Sequence, residues 1–369
     1  MKVPFTKPYF PKKMKSNILS SISEIMDNKS LMLGKYSCTL EEKFAKLIGV
    51  KYAVAVNSAT TGLQISLRYG KTKGKEVIVP AASFITNVSS VLFENAKPVL
   101  VECEKETLTY NIEELKKKIN KNTAAIVLVH LTGYIGNKYK KIIQIAKEND
   151  ILLIEDCSHA HGSHIGKQYA GSMGDVGVFS FYPTKVLTSG TGGILTTNNE
   201  EIYKLAKSLR LFGKNDSNNE VDKLGNDWFL DEFRSAICLS QLDMIESIIE
   251  KRSKAANYYI ENLPKSKLFS FLKLKYDQKS CWYNFPIFFK SLENKNIFKA
   301  ELSKKFISSK SIYRPVFEEK VFLKYNLGKN YKATKEMLDH SLCLPMYTSI
   351  SKKELDYIIK IFNNIIDDI

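Results

Sequence analysis

The sequence predicts an α/β fold: a large domain on a mostly parallel mixed sheet flanked by helices, then a smaller C-terminal α+β domain. Three observations carry this. Short apolar runs alternate with helix-period stretches from about residue 50 to 200, the pattern of successive βαβ units. Those runs are continuous, so the strands are expected to be buried on both faces. Beyond residue 200 the alternation stops, and helical patterns surround a single further strand-like run.

In chain order, strands are expected at 51–56 (KYAVAV), 76–80 (EVIVP), 98–102, 124–130, 151–156, 176–181 and 192–197. Helical patterns follow the first, third and fourth of these, over 60–70, 111–119 and 140–150. A helix over 200–210 leads into a polar loop at 214–223 (KNDSNNEVDK). The run 231–263 then reads as one long helix or a kinked pair bridging to the second domain. A strand is expected at 282–289 (WYNFPIFF), and amphipathic helices over 299–309 and 351–369. The expected division is residues 1–245, with an N-terminal arm over about 1–30, and residues 246–369. A chain of 369 residues is long enough for two such parts to share one core.

Composition narrows the function. Hydrophobic residues at 44% and charged residues at 25% are ordinary for a globular chain and argue against disorder. No apolar run reaches the roughly 18 to 20 residues of a membrane span. The basic N-terminus lacks the apolar stretch of a secretory signal. A cytoplasmic protein with no membrane partner is expected. The net charge of +16 raises nucleic acid as a partner, yet only five of the 55 basic residues are arginine. Readers of phosphates and base edges rely on arginine's bidentate fork, so dispersed lysines fit a solvated surface and no nucleic-acid partner is expected. The six cysteines stand singly with no CxxC, as reduced thiols in a reducing compartment do.

Three segments carry chemistry. In IEDCSHAHGSHIG (154–166), Asp156 ends an apolar strand, at the edge where open α/β sheets bind ligands. A carboxylate there can ligate a metal, act as a base or pair with a cationic ring nitrogen. His159, His161 and His164 lie nearby, but their spacing is not that of the common zinc signatures and no metal is expected. In VGVFSFYPTKVLTSGTGGILTT (176–197), Lys185 is the only basic residue between Gly171 and Glu200. A lone lysine at the ligand edge suits Schiff-base chemistry, because partial burial lowers its pKa toward neutrality. In VAVNSATTGLQISL (54–67), Ser58 can cap a helix whose first N–H groups are free to take a phosphate. Together these offer a phosphate grip, a partner for a pyridinium and an amine for an aldehyde.

The segments LEEKFAKLIGVKYAVAVNSATTGL (40–63), EVIVPAASFITNVSSVLFENAKPVLVE (76–102), VHLTGYIG, IEDCSHAHGS, FSFYPTK and SLCLPMYTSISKKELDYI (341–358) fall in a familiar order and spacing. Nearly end to end, the chain resembles the DegT/DnrJ/EryC1/StrS family of sugar aminotransferases, which depend on pyridoxal 5′-phosphate. The resemblance implies a fold-type-I PLP-dependent transferase in which Lys185 holds the cofactor as a Schiff base and shuttles the proton. Asp156 would keep the pyridine nitrogen protonated. Ser58, the backbone of Thr60 and Thr61, and the Ser180 hydroxyl would bind the phosphate. Phe84 would stack on the ring, Ser158 would lie under it, and His159 would reach its O3′.

The implied reaction moves an amino group from an amino acid, by resemblance L-glutamate, to a keto group of a nucleotide-linked deoxy sugar for glycan or amino-sugar assembly. A non-nucleotide keto sugar or cyclitol is an alternative acceptor. A non-catalytic regulator or nucleic-acid-binding relative is another, and the Lys185–Asp156 pair argues against it. A dehydrating relative carries histidine in place of the lysine, which Lys185 also argues against. A homodimer with shared active sites is implied.

Two departures stand out. Where the family has an NYRM-like segment reaching the neighbour's cofactor phosphate, this chain reads GNDWFLDEF (225–233). Aligned on Glu232, Asp227 replaces the family's Asn and Phe229 its Arg. An aspartate repels a phosphate, so a one-residue slip that brings Asn226 into the role is expected. The usual GEGG also reads GTGG, from Gly190 to Gly193.

Overall fold

A computed structural model describes residues 1–215, 220–328 and 330–368. Seven strands form the main sheet: β1 (Tyr52–Val56), β2 (Glu76–Pro80), β3 (Lys97–Val101), β4 (Thr123–Val129), β5 (Leu152–Asp156), β6 (Val176–Ser180) and β7 (Gly193–Thr197). Their order is β1-β7-β6-β5-β4-β2-β3, and β7 alone runs against the others. The expected mostly parallel mixed sheet is what forms, each strand within a residue of its expected bounds.

Alternation along the strands feeds two cores. Val54, Val79, Val127, Ile154 and Val178 pack on one face, and Ala55, Ile78, Ile126, Leu153 and Phe179 on the other. Each of these is at most 3% exposed, as the continuous apolar runs require. Helices α3 (Ala59–Tyr69), α4 (Ile85–Phe93), α5 (Ile112–Lys118) and α6 (Tyr139–Glu148) fill crossovers, and α7 (Glu200–Arg210) follows the last strand. Ser58, Asn111 and Asn199 cap α3, α5 and α7 through their side-chain oxygens, which fixes where each helix starts.

Two earlier helices, α1 (Lys12–Asn28) and α2 (Lys35–Ile48), pack against α8 (Glu232–Leu242). Glu232, 1% exposed, accepts the N–H groups of Gly34, Tyr36 and Ser37 at 3.0, 2.8 and 2.9 Å. A buried carboxylate from a distant helix thus satisfies the orphan donors that open α2. The expected run 231–263 is a pair, α8 followed by α9 (Ile245–Asn262), broken at Asp243–Met244.

The C-terminal part holds a three-stranded antiparallel sheet of β8 (Phe269–Phe271), β9 (Phe285–Phe289) and β10 (Ser341–Leu344), with α10 (Leu292–Lys304), α11 (Lys332–Asp339) and α12 (Lys352–Asp367). The strand expected at 282–289 begins only at Phe285. The helix expected over 299–309 is displaced to Leu292–Lys304, because the Ser291 hydroxyl caps it by accepting from Asn294 N–H. It stops where Phe306 turns left-handed, φ 59°, and Ile307 pairs with Val3. Val3 is fully buried in the C-terminal core, so the first residues lie there rather than on the main sheet. Within the polar loop expected at 214–223, positions 216–219 lie outside the described residues, as does Ile369 of the helix expected over 351–369.

Candidate active site

The carboxyl ends of β1, β5 and β6 and the start of β7 meet at one edge of the sheet. A cavity of about 550 Å³ opens there, closed on its far side by residues of the C-terminal part. Ser58, Thr60, Phe84, Asp156, Ser158, His159, Ser180 and Lys185 all line it. Sequence positions spread over more than a hundred residues are thereby brought to one place.

Asp156 is 5% exposed. Asn87 Nδ2 donates to its Oδ2 at 2.7 Å, and the Ser158 N–H to its Oδ1 at 3.0 Å. Asn87 sits one turn into α4 from Phe84, so one helix start supplies both an aromatic wall and the carboxylate's orienting donor. Lys185 follows β6 through the Tyr-Pro-Thr turn, its backbone N–H bonded to Tyr182 O at 2.9 Å. Its ammonium stands 4.8 Å from the Tyr283 ring centroid. Burial pulls its pKa down to about 8, against the pull of Asp156, which holds it up, while Lys310 pushes it lower. An amine near neutrality beside a fixed carboxylate is what condensation with an aldehyde needs.

The phosphate end rests on backbone. Gly193 opens β7 so close to α3 that a Cβ there would lie 2.6 Å from Ala59 N and 2.6 Å from Ser58 C. Gly192, at φ 135°, pairs with Ser58 just before it. The Thr191 substitution in GTGG leaves this close approach intact. One expectation needs correction. The Thr61 N–H is taken by Ser58 Oγ at 3.1 Å, and its hydroxyl donates to Asn57 Oδ1 at 2.6 Å. Thr61 is 4% exposed and stands behind the wall, because position three of a capped helix turns its N–H back on the cap. Ala59 and Thr60, which do line the cavity, open the helix instead.

His159 is also differently engaged from expectation. Its Nδ1 accepts the Thr132 N–H at 3.3 Å, and Nε2 lies 2.7 Å from the Tyr313 hydroxyl. Thr132 reaches it from a left-handed backbone, φ 61°. Burial, with Lys185 nearby, holds the imidazole well below the usual histidine range, so it is neutral. A neutral ring accepting at Nδ1 must carry its proton on Nε2, which therefore donates to Tyr313. Its ring stacks on Tyr283 at 4.0 Å. Both nitrogens are occupied by protein, so His159 has no free nitrogen to offer a ring oxygen.

Asn226 and Asp227 are exposed and do not line this cavity. The Asn226 side chain accepts from the Asp227 N–H at 2.8 Å, and the Asp227 carbonyl accepts from Asn57 Nδ2 at 3.1 Å. The three histidines diverge. His161 is fully buried against the Phe179 and Phe181 rings, and His164 binds Gly166 O at 2.9 Å. Among the described residues the one cluster with metal-like spacing is His130, Glu155 and Cys157. Glu155 there already accepts from Gly171, Met173 and Gly174 N–H and lies 2.8 Å from His130 Nε2, which leaves it little to give an ion. Sequence reasoning missed Asn87, Tyr283, Lys310 and Tyr313. Only Asn87 had a local signal, its helical spacing from Phe84.

The donor set fits a phosphorylated pyridine aldehyde. Helix N–H groups and a hydroxyl lie at one end, a carboxylate and a perturbed lysine stand in the same cavity, and aromatic side chains line it. Fold and site together define the fold-type-I class of PLP-dependent enzymes. The pattern of the DegT/DnrJ/EryC1/StrS aminotransferase family matches residues 12–363, and the chain belongs to that family. It is a PLP-dependent aminotransferase. It is 28% identical over 340 residues to GDP-perosamine synthase of Escherichia coli O157:H7, covering 91% of each chain. It is 30% identical over 348 residues to UDP-N-acetyl-3-dehydro-alpha-D-glucosamine 3-aminotransferase of Acidithiobacillus ferrooxidans, covering 93% of this chain and 92% of that one. The PLP-form structure of Spr1654 from Streptococcus pneumoniae superposes with a TM-score of 0.92 at 25% identity, over 100% of this chain and 99% of that one.

Proposed function

We propose that this protein transfers the amino group of an amino acid, L-glutamate in the first instance, to a keto group of a nucleotide-linked deoxy sugar. The observation that carries the reading is the placement of Lys185 and Asp156 in one cavity of a chain from this family. The similarity to enzymes named for GDP- and UDP-linked amino sugars supports a nucleotide sugar as acceptor.

Pyridoxal phosphate, when bound, supplies a sink for the electron pair left by a breaking Cα–H bond. Lys185 is the residue that would hold it covalently, and its amine would carry the α-proton. Asp156, steered by Asn87 and Ser158, keeps a proton on the pyridine nitrogen. Ala59, Thr60 and the Ser180 hydroxyl grip the phosphate, with Ser58 and Thr61 ordering the helix start behind them. Phe84 and Ser158, which both line the cavity, would hold the ring between them. His159 acts by holding Tyr313. Asn226, rather than Asp227, reaches the phosphate of a second copy, so that a homodimer shares its two sites.

The test is direct. Holoenzyme is incubated with L-glutamate and a panel of GDP-, UDP- and dTDP-linked keto-deoxy sugars, and 2-oxoglutarate and amino-sugar products are followed by mass spectrometry. An amino sugar formed in step with 2-oxoglutarate supports the reading. Transfer to free keto sugars or cyclitols alone would replace the acceptor.

A further inference from the structure

A second ammonium stands in the catalytic cavity. Lys310 lies at the cavity wall contributed by the C-terminal part, where its backbone pairs with Cys343 beside β10. The ammonium sits 4.3 Å from the Phe5 ring centroid, an attraction that fixes the cation and leaves its N–H donors free. Partial desolvation pulls its pKa below the ordinary lysine range. Both His159 and Lys185 feel its charge, so it belongs electrostatically to the same site. Among the described residues no carboxylate pairs with it.

Three residues on, Tyr313 offers a second donor. Because His159 Nε2–H donates into the Tyr313 oxygen, the phenol's own hydrogen must point elsewhere, and Tyr313 lines the cavity. Burial keeps that phenol protonated. No arginine of the chain lines this cavity, and each has a partner elsewhere. Arg68, Arg210 and Arg234 pair with Glu94, Glu41 and Asp231. Arg252 is bonded to backbone carbonyls of Cys281, Trp282, Tyr283 and Met346, and Arg314 to Glu318 O. Among the described residues, the bidentate fork that usually takes a substrate carboxylate is absent from this cavity.

We infer that Lys310 and Tyr313 form the receptor for the α-carboxylate of the amino-acid donor. The inference rests on the transaminase reading above and names the subsite of its first substrate. A donor's α-carboxylate is bonded to the carbon that surrenders its proton to Lys185, so its receptor must stand beside Lys185. A nucleotide's diphosphate lies several bonds from the keto carbon and needs partners farther out. Lys310, close enough to act on Lys185 and His159, meets the first requirement.

The experiment titrates holoenzyme with α-methyl-L-glutamate, which has the carboxylate but no α-hydrogen to lose, following the absorbance near about 410–430 nm. Lys310→Met is expected to weaken binding roughly 10- to 100-fold, the loss of a charge-assisted partner, and Tyr313→Phe roughly 2- to 10-fold. Lys310→Arg should recover most of the affinity. Propylamine, an amine without a carboxylate, should lose far less affinity than α-methyl-L-glutamate on going from wild type to Lys310→Met. Unchanged α-methyl-L-glutamate affinity in both Lys310→Met and Tyr313→Phe would overturn the inference. So would a loss confined to UDP or GDP binding, which would give Lys310 to the nucleotide. If wild-type protein mixed with pyridoxal phosphate develops no such band, the cofactor reading itself fails and the inference with it.

Discussion

Burial lowers the pKa of Lys185 most, and two charged neighbours, each of which can be removed, then pull it in opposite directions. With the pKa brought down to about 8, roughly one Lys185 in ten is an uncharged nucleophile at pH 7, against roughly one in three thousand for an ordinary lysine. Asp156 raises that pKa and Lys310 lowers it. Asp156→Asn should therefore move the midpoint below about 8, and Lys310→Met should move it above. While the midpoint stays above pH 7, raising it by about one pH unit cuts the neutral fraction at pH 7 roughly tenfold. The assay mixes apo-protein with saturating pyridoxal phosphate across about pH 6 to 10 and follows the rate at which the Schiff-base band appears. The rate should rise with pH and level off above the midpoint. An inflexion near that of free lysine, or midpoints displaced in the same direction in the two variants, would refute this electrostatic picture.

Other consequences follow from named contacts. Glu232→Ala strips the acceptor from three backbone N–H groups at the start of α2 and should destabilise the fold by about 3 kcal/mol, read from urea unfolding; Glu232→Gln should lose less. Gly193→Ala forces a methyl onto the Ser58–Ala59 peptide, so cofactor affinity should fall about tenfold or more while circular dichroism is retained. His159 should remain neutral with its proton on Nε2 over about pH 5 to 8, a state that 15N NMR identifies; protonation within that window would contradict the Thr132 and Tyr313 bonds.

What the sequence reveals depends on the range of the forces involved. The seven strands of the main sheet are legible because burial on both faces demands unbroken apolar runs such as EVIVP and AAIVL. Asp156 and Lys185 are legible because Asp156 ends such a run, Lys185 follows one after a short turn, and Lys185 is alone in its stretch. The start of α10 escapes such a reading because its cap, Ser291, is one serine in a polar segment, while Ile307 extends the helical pattern and finds its true partner in Val3, some three hundred residues away. Lys310 is hidden among about fifty lysines, and Tyr283 and Tyr313 among nineteen tyrosines. They reach the cavity only through the packing of the C-terminal part onto the sheet. Thr61 and His159 show the complementary error. Both lie in the right segments, but hydrogen bonds to Ser58, Thr132 and Tyr313 claim the atoms expected to meet the cofactor.

The most direct measurement is to reduce the holo-protein with borohydride, digest it and locate the pyridoxyl group by mass spectrometry. The account places it on Lys185. A label on Lys310 or any other lysine, or a Lys185→Ala protein that labels as fully as wild type, would contradict it.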